Sequence, residues 1–160
     1  AFTTLDPVGE DACRRENRIL LSDFPYAGDR PDTSCAVAAA LDVWRRDSVQ
    51  PLAQEIFGQE VARIEHFGSF SCRRMYGRDE GPWSEHATAN AIDIAGFVLE
   101  DGRRITVKAD WNAGSGAEKK FLRVVRQSAC KRFGTVLSPD YNAAHADHLH
   151  LEVGDSSFCR

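Results

Sequence analysis

Residues 148–153 read His-Leu-His-Leu-Glu-Val, and this closing stretch decides how the rest of the chain is assembled. Side chains alternate across a strand, so Leu149, Leu151 and Val153 share one face while His148, His150 and Glu152 share the other. The apolar face demands a core. The opposite face then carries two imidazoles roughly 7 Å apart along the chain, the length of two strand rises. Ala91 to Leu99 reads as a second strand, apolar and β-branched, with one carboxylate in it. That carboxylate, Asp93, points with Ala91 and Ala95, away from Ile92 and Ile94. An aspartate in mid-strand is disfavoured and calls for a partner. His86 lies seven residues earlier, near the loop entering that strand, and can fold back beside it.

Working outward, Asp101-Gly102 is a hairpin-turn dipeptide, and Arg104 to Lys108 is the expected returning strand. Val61 to Phe67 alternates as a strand, and Gly68 to Trp83, rich in Gly, Ser and Arg, reads as a loop. From Cys35 the run AVAAALDVWRR is helical, with Val37, Leu41 and Trp44 at i, i+4 and i+7. Pro51 breaks or restarts it, Ser48 is positioned to cap a segment Val49 to Phe57, and Gly58 ends that segment. Ser115 to Glu118 is a capping box opening a helix lined by Phe121, Leu122, Val125 and Ala129. Lys131 and Arg132 complement its last turn, with Gly134 closing it. Residues 1–33 mix prolines, glycines and charge and read as an irregular N-terminal wrap. The expectation is one α+β domain, a wrap over 1–33 and a core over 34–160, with a small antiparallel sheet flanked by helices.

The chain of 160 residues is 42% apolar and 28% charged, ordinary for one globular domain. A net charge of -4 argues against broad nucleic-acid binding. No apolar run approaches the roughly 20 residues of a membrane helix. The N-terminus lacks the signal-peptide pattern, as a processed secreted chain also would. Five cysteines, none in a CxxC pair, point to two disulfides in an oxidising compartment, with one thiol left over.

Four of the five histidines fall in two short segments, Ser84 to Asp93 and His145 to His150. Two neutral imidazoles and one carboxylate make a three-ligand zinc set with a fourth position for water. Zinc lowers the pKa of such a water to about 7 and polarises a carbonyl. His86 and Asp93 supply two ligands, and the closing strand supplies the third. The neighbouring histidine then serves as general base, with His148 the best placed, and Asp147 and His145 as further candidates. The plainer readings are a solvated H-x-H face, a structural His66, a solvated Arg73–Arg74 pair, and Trp83 and Trp111 as core.

Ser84-Glu-His86…Asp93, His145…His148-Leu-His150, Phe121-Leu-Arg…Ala129-Cys130…Phe133-Gly-Thr-Val-Leu and Ser71-Cys-Arg73 together resemble the bacterial extensin-like C-terminal domain family, from about Cys35 to Cys159. That family is similar to a wider group of zinc peptidases, among them D-Ala-D-Ala carboxypeptidases, the penicillin-insensitive murein endopeptidase and the hedgehog signalling domain. The resemblance implies His86, Asp93 and His150 as ligands of one Zn2+ and His148 as the catalytic partner. It implies Arg73 as a holder of the substrate carbonyl, and Ser84 and His145 as substrate-facing residues. Many relatives have a glycine in the first motif where this chain has Ala89 or Asn90. The implied substrate is an amide bond of peptidoglycan stem peptides or cross-bridges, cut by a monomeric endopeptidase in the periplasm or outside the cell. A non-catalytic zinc-containing wall or protein-binding module, and a secreted antibacterial toxin, are the alternatives. Whether the bond is D,D or L,D stays open.

Overall fold

The computed structural model describes residues 1–160. In chain order its elements are β1 (Phe2–Leu5), β2 (Arg18–Leu21), β3 (Thr33–Ser34), α1 (Cys35–Trp44), α2 (Gln50–Phe57), β4 (Val61–Gly68), β5 (Ala91–Leu99), β6 (Arg104–Thr106), α3 (Val107–Ala113), α4 (Gly116–Ala129), β7 (Thr135–Leu137), β8 (Leu149–Glu152) and β9 (Phe158–Cys159). The chain is α+β. Its main sheet runs β4-β5-β8-β7-β9, with β6 beside β8 along the same edge of β5. All of these pairings are antiparallel except β7 with β9.

Alternation in β8 holds: Leu149 and Leu151 are fully buried in the core, while His150 and Glu152 face the other way toward a cleft. On the core side, Ile92 and Ile94 of β5 pack with Trp44 of α1 and with Phe121, Leu122 and Val125 of α4. Trp44 satisfies its indole N–H by donating to the Val125 carbonyl and the Ser128 hydroxyl. A β-bulge follows Asp93. Glu65 pairs with Gly96 and His66 with Ile94, which leaves Ala95 as the extra residue. The slip lets Ile94 and Phe97 both reach the core, although they are three residues apart. Gly96 is needed there, since a Cβ would sit 2.9 Å from the Ile105 carbonyl oxygen.

Several expectations are corrected. Residues 1–33 are not an irregular wrap: β1, β2 and β3 form an antiparallel three-stranded sheet, and Ile19 and Leu21 join the common core. Its last strand crosses the 33/34 boundary, and Ser34 caps α1 by accepting from the Val37 N–H. Pro51 sits in the first turn of α2 and does not break the helix. A π-helical turn over Arg45–Val49 carries α1 into α2, with the Gln50 N–H donating to the Arg45 carbonyl. Ser48 lies inside that turn and caps nothing. This widened turn accommodates the hydrogen bond a proline cannot make.

The strand expected over Arg104–Lys108 ends at Thr106, whose hydroxyl instead caps α3. Helix α4 stops at Ala129, so Lys131 and Arg132 lie beyond it and Gly134 does not close it. Gly134 has a different requirement: a Cβ would lie 2.3 Å from the Gly154 carbonyl oxygen.

Cys13–Cys72 ties the N-terminal segment to the loop after β4, and Cys130–Cys159 ties the end of α4 to β9. Cys35 is the free thiol. Two disulfides fit a secreted or periplasmic protein. No helix is long and apolar enough to cross a membrane.

Candidate metal centre

The register of two strands builds the centre of the site. Asp93 on β5 lies directly opposite His150 on β8, and their side chains share the face away from the core. His86 arrives from a short 3-10 turn, Glu85–Thr88, which Ser84 caps by accepting the His86 N–H. The turn ends at Ala89 in the left-handed conformation, φ 56 and ψ 30. A fully buried alanine takes this conformation here, at a backbone cost of about 1–2 kcal/mol.

The three side chains converge on one point. His86 Nε2 lies 3.2 Å from both Asp93 Oδ1 and His150 Nδ1, and His150 Nδ1 lies 3.1 Å from Asp93 Oδ1. Tetrahedral zinc with bonds of about 2.0–2.1 Å sets its ligand atoms roughly 3.3 Å apart. The triangle fits.

The outer nitrogens fit such a donor set. His86 Nδ1 donates to the Ser69 carbonyl at 3.0 Å, which leaves the neutral ring's lone pair on Nε2. His150 Nε2 donates to Glu152 Oε2 at 3.0 Å, which leaves its lone pair on Nδ1. With both rings neutral, two lone pairs and a carboxylate oxygen face one another at contact distance, an arrangement that favours a cation at its centre. Supports of this kind orient metal-binding histidines and raise their basicity.

Protons compete with a cation for these same nitrogens. Burial alone would raise the Asp93 pKa, but hydrogen bonds from His150 and His86 outweigh it and hold the carboxyl well below the usual range. Burial alone would lower His150, yet its bonds to Asp93 and Glu152 push it up to about 9.

His148 stands immediately beside this triangle, just before β8 begins. Its Nδ1 donates to Asp147 Oδ1 at 2.8 Å, and its Nε2 points toward Asp93 Oδ1 at 3.6 Å. Asp147 therefore orients the imidazole, and the Nε2 beside the centre is the atom placed to exchange a proton. Phe67 meets the His148 ring in an edge-type contact at 5.9 Å between centroids, and His145 lies tilted against it at 5.2 Å. His145 is buried, and that burial, with His148 and His150 nearby, pushes its pKa down to about 4.

A cleft of about 490 Å³ opens over these groups. Arg73 lines it without a carboxylate partner, donating only to the Arg74 carbonyl at 3.4 Å. Exposed Tyr76, Trp83, Tyr141 and Phe158 stand around it. Trp83 is cleft wall, whereas Trp111 is core. His66 is structural, bonded to the Asp29 carbonyl and the Gly68 N–H outside the cleft.

The structure thus brings His86, Asp93, His145, Asp147, His148 and His150 together, with Ser84 as a cap and Arg73 at the wall. Sequence reasoning missed Glu152 and Ser69, the acceptors behind His150 and His86. Strand alternation placed Glu152 on the right face and so held a signal. A backbone carbonyl such as that of Ser69 leaves none.

Fold and site together define an α+β protein with a buried His–Asp–His group that could hold a metal ion. The chain belongs to the extensin-like C-terminal family, whose description, "Extensin-like protein C-terminus", matches residues 1–160. The match includes the N-terminal sheet, which the resemblance read from the sequence left out. No curated protein sequence and no solved structure matches the chain.

Proposed function

We propose that this protein is a zinc-dependent peptidase that hydrolyses internal amide bonds of peptidoglycan stem peptides or cross-links in the periplasm or outside the cell. The observation carrying the reading is the His86–Asp93–His150 triangle with the His148–Asp147 pair 3.6 Å from it. His86, Asp93 and His150 would hold the ion, which would supply Lewis acidity and a water acidic near neutral pH.

The chain's own residues do the rest. His148 Nε2 takes the proton from the attacking water and delivers it to the leaving amine, while Asp147 steadies the imidazole and its positive form. Arg73, with no internal carboxylate to neutralise it, is placed to hold a substrate carbonyl. The ligand pattern is similar to that of the D-Ala-D-Ala carboxypeptidase, murein endopeptidase and hedgehog group, and relationship to that group is part of the proposal.

The test is digestion of purified sacculi by the wild type and by His150→Ala, followed by separation of the muropeptides. New or shortened muropeptides with the wild type alone support the reading. Identical profiles reject it, and a zinc-loaded protein that cleaves no sacculus preparation is a binding module instead.

A further inference from the structure

A three-residue bridge spans the cleft, and the peptidase chemistry above does not use it. Tyr76 Oη accepts from Asn142 Nδ2 at 3.2 Å, and Asn142 Oδ1 accepts from His145 Nδ1 at 2.6 Å. We infer that Asn142 and Tyr76 are positioning residues for His145, fixing its ring so that Nε2 is a hydrogen-bond acceptor beside the His86–Asp93–His150 centre. This rests on the peptidase reading only for what Nε2 would bind: an N–H of the peptide substrate.

The chemistry of the amide carries the argument. A carbonyl oxygen cannot donate, so His145 Nδ1 must carry the proton, and the neutral ring keeps its lone pair on Nε2. The ring makes no other hydrogen bond, and Nε2 is not among the buried polar atoms left without partners. Solvent in the cleft therefore reaches it. Asn142 could present its NH2 to the ring instead and reverse the tautomer. That reversal would have the Tyr76 hydroxyl donating to Oδ1, whereas in the structure the hydroxyl accepts from the NH2 and Oδ1 faces the ring.

Tyr76 itself is held against its backbone preference. It sits at φ 55, followed by Gly77 at φ 66, and the Arg78 N–H donates to the Met75 carbonyl across them. This is the type I′ pattern, which favours Asn or Gly at both central positions. The Tyr76 ring is half exposed, so core packing does not account for a tyrosine at this place. Its hydroxyl does.

Two-bond 1H–15N spectra of the 15N-histidine-labelled, zinc-loaded protein test the inference without any substrate. The wild type is expected to show His145 as the Nδ1–H tautomer. Asn142→Ala should shift it toward Nε2–H, Asn142→Asp should restore Nδ1–H, and Tyr76→Phe should give a mixture. An Nε2–H signal in the wild type, or an unchanged tautomer in Asn142→Ala, overturns the inference. On a muropeptide the wild type cleaves, Asn142→Ala should lower kcat/KM at least about tenfold with recovery in Asn142→Asp. A changed tautomer with unchanged kcat/KM also overturns it. If the tautomers behave as stated but no peptidoglycan is cleaved, the positioning stands and the peptidase reading falls.

Discussion

Replacing Glu152 tests whether the triangle is a metal centre, because this residue touches only the back of a ligand. Its sole side-chain hydrogen bond is the 3.0 Å contact from His150 Nε2. A hydrogen bond to a charged acceptor contributes about 1.5–3 kcal/mol against about 1 kcal/mol for a neutral one. Glu152→Gln keeps an acceptor and loses the charge, so zinc affinity should fall by about 1 kcal/mol, or five- to tenfold. Glu152→Ala removes the support altogether and should approach a hundredfold, the upper range for partners of metal-binding histidines. The carboxylate also raises the His150 pKa, so both variants hold the competing proton less tightly. The loss should therefore be larger at pH 9 than at pH 7. Competition with a chromophoric chelator at both values measures it, with circular dichroism to check the fold. Wild-type affinity in Glu152→Ala, or a larger loss in Gln than in Ala, would refute the reasoning.

Metal affinity should rise about tenfold per pH unit from neutrality to about pH 9 and then level off, because binding displaces the single proton that His150 retains below that value. The sign reverses for the stability of the metal-free fold. A pKa raised from 6.5 to about 9 stabilises most below 6.5, and that contribution is lost as pH climbs through 9. Thermal melts with and without zinc from pH 6 to 10 should separate the two trends. Cys72→Ser opens a bridge whose partners are 59 residues apart, a loss of about 4 kcal/mol by loop-closure entropy. Cys35→Ser, at the free thiol, should stay within about 0.5 kcal/mol. Urea titrations under non-reducing conditions compare them, and equal midpoints would contradict the pairing.

The closing strand was legible because alternation is local. Leu149 and Leu151 must face the core, and that alone turned His150 and Glu152 outward. The capping box at Ser115 and the Gly58 stop were legible for the same reason, since each depends on neighbours within one turn. The N-terminal strands were not. Their pairing partners are remote or their runs too short, and in Arg18–Leu21 an apolar Leu20 on the outward face masks the alternation. Helix α3 was hidden because Ile105 to Val107 is β-branched and apolar, as a strand would be. Thr106 ends the strand there by bonding the Ala109 N–H.

By itself the sequence determined which side chains face away from the core, that His86 lies within reach of Asp93, and that the odd cysteine has no internal partner. These follow from covalent spacing, strand alternation and counting. Only the tertiary structure decided that Asp93 faces His150 rather than another residue of β8, because Ile92 and Ile94 sit beside Leu151 and Leu149 on the core face of the sheet. It also decided what stands behind each imidazole: the Ser69 carbonyl, the Glu152 carboxylate, and the Asn142 amide braced by Tyr76. Of these, Ser69 and Tyr76 come from a loop far along the chain, and only folding brings their atoms to within hydrogen-bond distance of the site.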